Sequence, residues 1–254
     1  MNDKNILVVG YGIVGKLEYK LLEKLEPHIY DKYNTEVNTK SDIHYDLAIV
    51  AVPTPTIDGR CDVSAVWDAV KENEADVYLI KSTVTVGTCD AIAAATGKRI
   101  VHSPEHSGAT QHCNNFDYNF TILGGDKADC QFVQQIYQRV YDARHIFKFV
   151  DRKTSELSKY MLNSFLATKV SFCVSFWEIC QQLGLSYEEL RECFVLDSRI
   201  GRPHTFVYDD APYWDSHCFN KDLPAIANQF DVPLLKSVVE YNDKMKDEHN
   251  GKTR

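Results

Sequence analysis

The chain has 254 residues, 44% hydrophobic and 25% charged, which is ordinary globular usage and enough for one large or two modest domains. A formal charge of −8 without any Lys/Arg cluster excludes a nucleic-acid partner. No apolar run reaches membrane-spanning length and a polar Met1–Asn5 leads straight into Ile6, so no membrane contact and a soluble, cytoplasmic protein are expected.

From the amino terminus, the first element is a short apolar strand ending in Gly10-Tyr-Gly12-Ile-Val14-Gly15, followed by a helix over 16–25 with Leu17, Leu21, Leu22 and Leu25 on one side. Strand, G-x-G-x-x-G turn and helix stand in the order of a dinucleotide site. Gly10 permits the tight turn, Gly12 lets a pyrophosphate reach the backbone, and Gly15 lets the helix pack on the strand. A second strand, His28-Ile-Tyr-Asp31, ends in an acid where a carboxylate accepts hydrogen bonds from an adenosine ribose. That acid also repels a 2′-phosphate, so NAD is the expected cofactor, with neighbouring Lys32 arguing the other way. Further strands are expected at 46–52, 77–80, 99–102, 120–123 and 145–150, alternating with helices near 63–73, 88–97 and 126–141. The expected fold is α/β, with a Rossmann-type, mostly parallel sheet over residues 1–150.

Residues 151–254 read as an all-α domain. The stretch 154–183 is helical without interruption, roughly 45 Å long at 1.5 Å per residue, and apolar on more than one face, which predicts that it buries surface against a second copy. Gly184 ends it. Ser186-Tyr-Glu-Glu189 reads as a capping box with Leu185 and Leu190 as staple, starting a helix to about 196, and further helices are expected over 221–229 and 233–246. Lys159 and Asn163, four apart, share one face of the long helix.

Eight cysteines (Cys61, Cys89, Cys113, Cys130, Cys173, Cys180, Cys193 and Cys218) lack C-x-x-C or metal-ligand spacing and read as reduced thiols. His102, His106 and His112 have no accompanying ligand spacing, so no metal is expected. Cys218, in His217-Cys-Phe-Asn-Lys221-Asp222, stands apart. Oxidising an alcohol beyond the aldehyde requires a nucleophile to add before the carbon can give a second hydride, and a thiol supplies one.

Taken together, Gly10–Gly15, Ala51-Val-Pro-Thr54-Pro-Thr56, Lys81-Ser-Thr83-Val-Thr-Val-Gly-Thr88, Ser103-Pro-Glu105-His106, Ser155 to Lys169, Asp197-Ser-Arg199-Ile-Gly201 and Cys218 to Asp222 resemble the UDP-glucose/GDP-mannose dehydrogenase family in the same order over nearly the whole chain. The resemblance implies NAD-dependent oxidation of the primary alcohol of a nucleotide sugar to a carboxylate in two hydride transfers. It implies that Cys218 carries a thiohemiacetal and then a thioester, that Lys159 and Asn163 stabilise the oxyanion, and that Asp222 and Glu105 position water and move protons, with Thr83 between cofactor and substrate. Val14, Thr54 and Thr83 match cofactor-contacting positions. Lys159, Asn163 and Lys221 fall at the substrate, Arg199 matches an arginine reaching the neighbouring subunit's substrate, and dimerisation runs through the long helix.

The sequence also departs from that pattern. The family's further nucleoside-diphosphate-binding domain is expected to be missing after Arg254. The loop before the cysteine, Ala211-Pro-Tyr213-Trp214-Asp-Ser-His217, lacks glycine, and the stretch after Glu105 is shortened to His106–Thr110. Two bulky aromatics in that loop suit either stacking on a substrate or the core. The competing readings are a one-step β-hydroxyacid dehydrogenase, which needs no thiol, and a non-catalytic or regulatory NAD-binding dimer.

Overall fold

The computed structural model describes residues 4–106 and 118–250. The chain divides into two compact units, one holding the described residues up to 159 except 58–60, the other holding 58–60 and the described residues from 160 onward.

The first unit is built on seven strands: β1 (Ile6–Val9), β2 (His28–Tyr30), β3 (Leu47–Val50), β4 (Val77–Ile80), β5 (Arg99–His102), β6 (Phe120–Gly124) and β7 (Ile146–Val150). They lie in the order β2-β1-β3-β4-β5-β6-β7. The first five run parallel, β6 turns antiparallel to β5 at His102 opposite Gly124, and β7 runs parallel to β6. Short, mostly apolar runs of three to five residues form these strands because side chains alternate across the sheet and both faces are covered. Leu7, Val9, Val50, Tyr78 and Ile80 point to one face, where α2 (Ser64–Glu72) and α3 (Thr88–Thr96) bring Val66, Val70 and Ile92. Ile6, Val8, Ile49, Leu79 and Leu123 point to the other, where α4 (Lys127–Tyr137) brings Val133 and Ile136.

The helix after the glycine turn, α1 (Ile13–Leu21), begins earlier than its leucine spacing suggests and gives way to a 3-10 turn over Glu23–Leu25. Its expected apolar face is shifted. Leu17 is exposed, while Glu18 is buried, for a reason given below.

The long helix α5 (Arg152–Leu183) starts two residues before its apolar periodicity, because Asp151 caps it: Oδ1 accepts from the Thr154 amide at 2.9 Å and Oδ2 from the Thr154 hydroxyl at 2.6 Å. The division between units falls inside this helix, after Lys159. Its first turns belong to the sheet: Ser155 hydrogen-bonds His102 Nδ1 at 2.9 Å, and a Cβ on Gly124 would stand 2.3 Å from the Ser155 Cβ.

In the second unit α5 continues beside α6 (Tyr187–Phe194), α7 (His217–Gln229) and α8 (Pro233–Asn250). Ala167, Trp214, Phe219, Leu223 and Val238 form one core cluster, and Val174, Trp177 and Met245 another. The Ser186 hydroxyl accepts from the Glu189 amide at 3.3 Å, as the capping box predicts. No helix among the described residues is long and apolar enough to cross a membrane.

Candidate active site

The strand order reverses beside β1, and the carboxyl ends of β1, β2 and β3 open there into a crevice lined by Gly10, Tyr30, Asp31, Val52, Pro53, Asp68 and Glu72 among others. Gly10 has φ +90°, and a Cβ there would stand 2.6 Å from the Ala51 carbonyl oxygen. A Cβ on Gly15 would stand 1.9 Å from the carbonyl oxygen of Gly10, so α1 meets the turn only because no side chain intervenes. Nothing lies within 4 Å of the Cβ position of Gly12, which is the N-cap of α1. Open space in front of unpaired helix amides fits a pyrophosphate.

Asp31 accepts from the amides of Tyr11 (2.7 Å), Tyr33 (2.9 Å) and Asn34 (2.8 Å). Burial works against its charge, yet the Tyr11, Asn34 and Tyr33 donors hold the carboxyl below its usual range. The carboxylate therefore organises the loop and keeps acceptor capacity for a ribose hydroxyl. Lys32 points to Glu72 at 3.3 Å, so the crevice sets three acids, Asp31, Asp68 and Glu72, against one already paired lysine. A 2′-phosphate would meet net negative charge.

Loops after β3 and β4 are tied together beside the crevice: the Thr54 hydroxyl donates to the Thr83 carbonyl at 2.7 Å and the Ser82 hydroxyl to the Val52 carbonyl at 2.7 Å. Val14 lies half-buried in the first turn of α1. Glu156 of α5 closes the same loop region, accepting from the amides of Gly87 (2.5 Å) and Cys89 (2.8 Å) at the start of α3.

Sequence patterns did not point to the charged cluster in this unit. Buried Lys81 lies 2.8 Å from Glu18 and 3.4 Å from Glu105. Glu18 also accepts from the Tyr137 hydroxyl at 2.5 Å. Burial opposes the ammonium, but Glu18 and Glu105 more than compensate and push its pKa up. The one signal was positional: Glu18 lies three and four residues before Leu21 and Leu22, on their face of the helix. Burial drives His102 down to about 3 and, with Lys159 and Lys81 adding repulsion, His106 down to about 4, so both imidazoles are neutral at pH 7. His112 and Cys113 lie outside the described residues, as do residues 107–110. Among the described residues no group of three or more His, Cys, Asp or Glu side chains is arranged to hold a metal ion.

In the second unit, α7 begins four residues before the apolar spacing suggests. Ser216 caps it, accepting from the Phe219 amide at 3.0 Å, so exposed Cys218 sits in the first turn, where helix amides present partial positive charge. Asp222 follows one turn later, buried, and accepts from the Asn163 side-chain amide at 2.6 Å and from the Lys221 ammonium. Asn163, Asp222 and Lys221 thus meet in one cluster, with Cys218 a turn away on the same helix. The Lys221 ammonium is directed to Asp222. Lys159 lies half-buried one turn before Asn163 on α5. Arg199 is exposed and forked onto Asp197 at 2.6 to 3.1 Å. Trp214 is core: its indole donates to the Ser171 hydroxyl at 3.0 Å, and Asn242 pairs with its backbone on both sides.

Residues 2–144 match the NAD binding domain, and residues 153–244 the central domain, of the UDP-glucose/GDP-mannose dehydrogenase family. The chain belongs to this family. It is 30% identical over 226 residues to the UDP-glucose 6-dehydrogenase of Rickettsia prowazekii, covering 82% of this chain and 51% of that one. It is 31% identical over 258 residues to that of Rickettsia conorii, covering 94% and 57%. The chain therefore spans about half the length of the curated relatives it matches. Among solved structures, a UDP-D-ManNAc dehydrogenase from Pyrococcus horikoshii shares the fold with a TM-score of 0.81 at 19% identity, covering 97% of this chain and 70% of that one. A UDP-glucose dehydrogenase from Pyrobaculum islandicum does so at 0.78 and 21%, covering 97% and 69%. The 3-hydroxyisobutyrate dehydrogenase of Mycobacterium tuberculosis also shares it, at 0.67 and 16%, covering 98% and 95%. As a family member with the matching domain and a crevice of this chemistry, the protein takes NAD as its cofactor.

Proposed function

We propose that this family member oxidises the primary alcohol of a nucleotide sugar, UDP-glucose or a close analogue, to the uronate. The observation that carries the reading is the Asn163–Asp222 hydrogen bond with Cys218 one turn away, because it groups the residue types that a second oxidation needs. NAD, when bound, accepts the hydride of each oxidation. Cys218 adds through its sulfur to the aldehyde carbon, giving a thiohemiacetal whose oxyanion is stabilised by the Lys159 ammonium and the Asn163 amide. After the second oxidation the carbon is a thioester, and water, positioned by Asp222 and deprotonated by Glu105, releases the acid and returns the thiol. Thr83 orients the reacting carbon. Lys221 holds Asp222 and meets the substrate. Arg199 leaves its Asp197 partner to reach the substrate of a second copy.

The same reading makes the protein a homodimer. The α5 side chains Met161, Phe165, Phe172, Phe176 and Leu183 are exposed at helical spacing, a stripe that a second copy's helix would cover.

The test is turnover with NAD and a panel of UDP- and GDP-sugars. Wild-type protein is expected to form the uronate, and Cys218→Ala to lose acid formation by more than about a hundredfold while binding NAD unchanged. Undiminished acid formation in Cys218→Ala removes the proposal. A one-step dehydrogenase would stop at the carbonyl and survive thiol alkylation.

A further inference from the structure

Nothing in the proposed chemistry uses Glu18, yet it is buried in the middle of α1 with both oxygens engaged: Oε1 with Lys81 at 2.8 Å and Oε2 with the Tyr137 hydroxyl at 2.5 Å. Burying a carboxylate is costly unless it is paired, and a simpler core would place a leucine there. The pairing has a further consequence. Lys81 lies at the carboxyl end of β4 and reaches Glu105 with the same ammonium, at 3.4 Å. One buried positive charge therefore serves two carboxylates, and the shorter contact is to Glu18.

Other titratable groups among the described residues interact with Glu105 or lie close to it. From its own loop, His106 is held neutral by burial and by Lys159 and Lys81. From β5, His102 is neutral for the same main reason, burial. From the end of α4 and the turn after it, the Tyr137 and Tyr141 hydroxyls are pushed up by burial and by Glu18, and stay protonated. Lys159 of α5 adds a positive charge near His106. Among the described side chains, the Lys81 ammonium stands at ion-pair distance from Glu105, 3.4 Å, with Lys159 acting on the neighbouring His106.

We propose that Glu18 is a positioning residue that draws the Lys81 ammonium away from Glu105, leaving Glu105 basic enough to take a proton from water. With Lys81 turned wholly onto it, Glu105 would be a carboxylate too well stabilised to act as a base. Glu18 thus sets the proton affinity of a residue it does not touch. This rests on the reading of Glu105 as proton acceptor, and the measurement is chosen so that the two can fail separately.

The carboxyl carbons of 13C-glutamate-labelled full-length protein are titrated by NMR, with Glu105 assigned through Glu105→Gln. In Glu18→Gln, which keeps size and polarity, the midpoint of Glu105 is expected to fall by roughly one pH unit, because a neighbouring cation then acts undivided. In Tyr137→Phe, Glu18 loses its hydroxyl donor and leans wholly on Lys81, so the midpoint is expected to rise. Glu18→Asp, which keeps the charge, should return it toward wild type. A midpoint that stays put or moves the other way in either folded variant overturns the inference, and Tyr137→Phe alone decides it if Glu18→Gln does not fold. The acid limb of the pH dependence of kcat should move in the same direction as the midpoint. NMR shifts without turnover of any sugar would leave the charge-sharing intact and reject the chemistry assigned to Glu105.

Discussion

Asp222 shows how one side chain is given two tasks. It is almost fully buried, and both the Asn163 amide and the Lys221 ammonium donate to it. It therefore fixes the amide of Asn163 while standing one helical turn from Cys218. The buried histidines carry a different consequence. His102 and His106 have ordinary values near 6.5 when unfolded but about 3 and about 4 in the fold, so between those limits the unfolded chain binds more protons than the native one. Their contribution is fully present above about pH 6.5 and is lost as pH falls through about 4 for His106 and about 3 for His102. Melting temperature should decline over that window, and His106→Gln should flatten part of the slope. A melting temperature that is constant from pH 7 to 4.5, or equally steep in the variant, contradicts the assignment.

At the level of elements, the glycine turn and α1 act as one piece. Gly15→Ala places a methyl 1.9 Å from the Gly10 carbonyl oxygen, so backbone has to move. The expected cost is about 1–3 kcal/mol of stability with NAD binding weakened by tenfold or more, measured by thermal melting and cofactor titration. Unchanged binding would mean that the turn is not the pyrophosphate site. This part of the fold was readable because glycines, apolar runs and helix caps are local signals. The seven strands fall where apolar runs of three to five residues meet turn residues, and the long helix ends at Gly184 as its αL conformation requires. Other features were not readable because their cause is tertiary. The start of α7 is set by the Ser216 cap ahead of any apolar repeat, and Glu18 is buried only because Lys81 and Tyr137, far apart in sequence, come to meet it. Cys218 was singled out by the nucleophile that a second oxidation needs and Asn163 by its spacing from Lys159, while Asp222 and the role of each came through family resemblance.

For the whole molecule, the exposed α5 stripe makes self-association part of the account. Phe165→Glu places a charge within that stripe and should convert a dimer to a monomer in sedimentation velocity, and an assembly unchanged by it would move the interface elsewhere. Everything functional then turns on whether one carbon is oxidised twice. The most direct measurement is the ratio of NADH formed to nucleotide sugar consumed, followed to completion in one vessel. The account predicts two NADH for each sugar, a uronate as the product, and inactivation by iodoacetamide at Cys218. One NADH per sugar, with a carbonyl product and activity indifferent to the alkylated thiol, would contradict it.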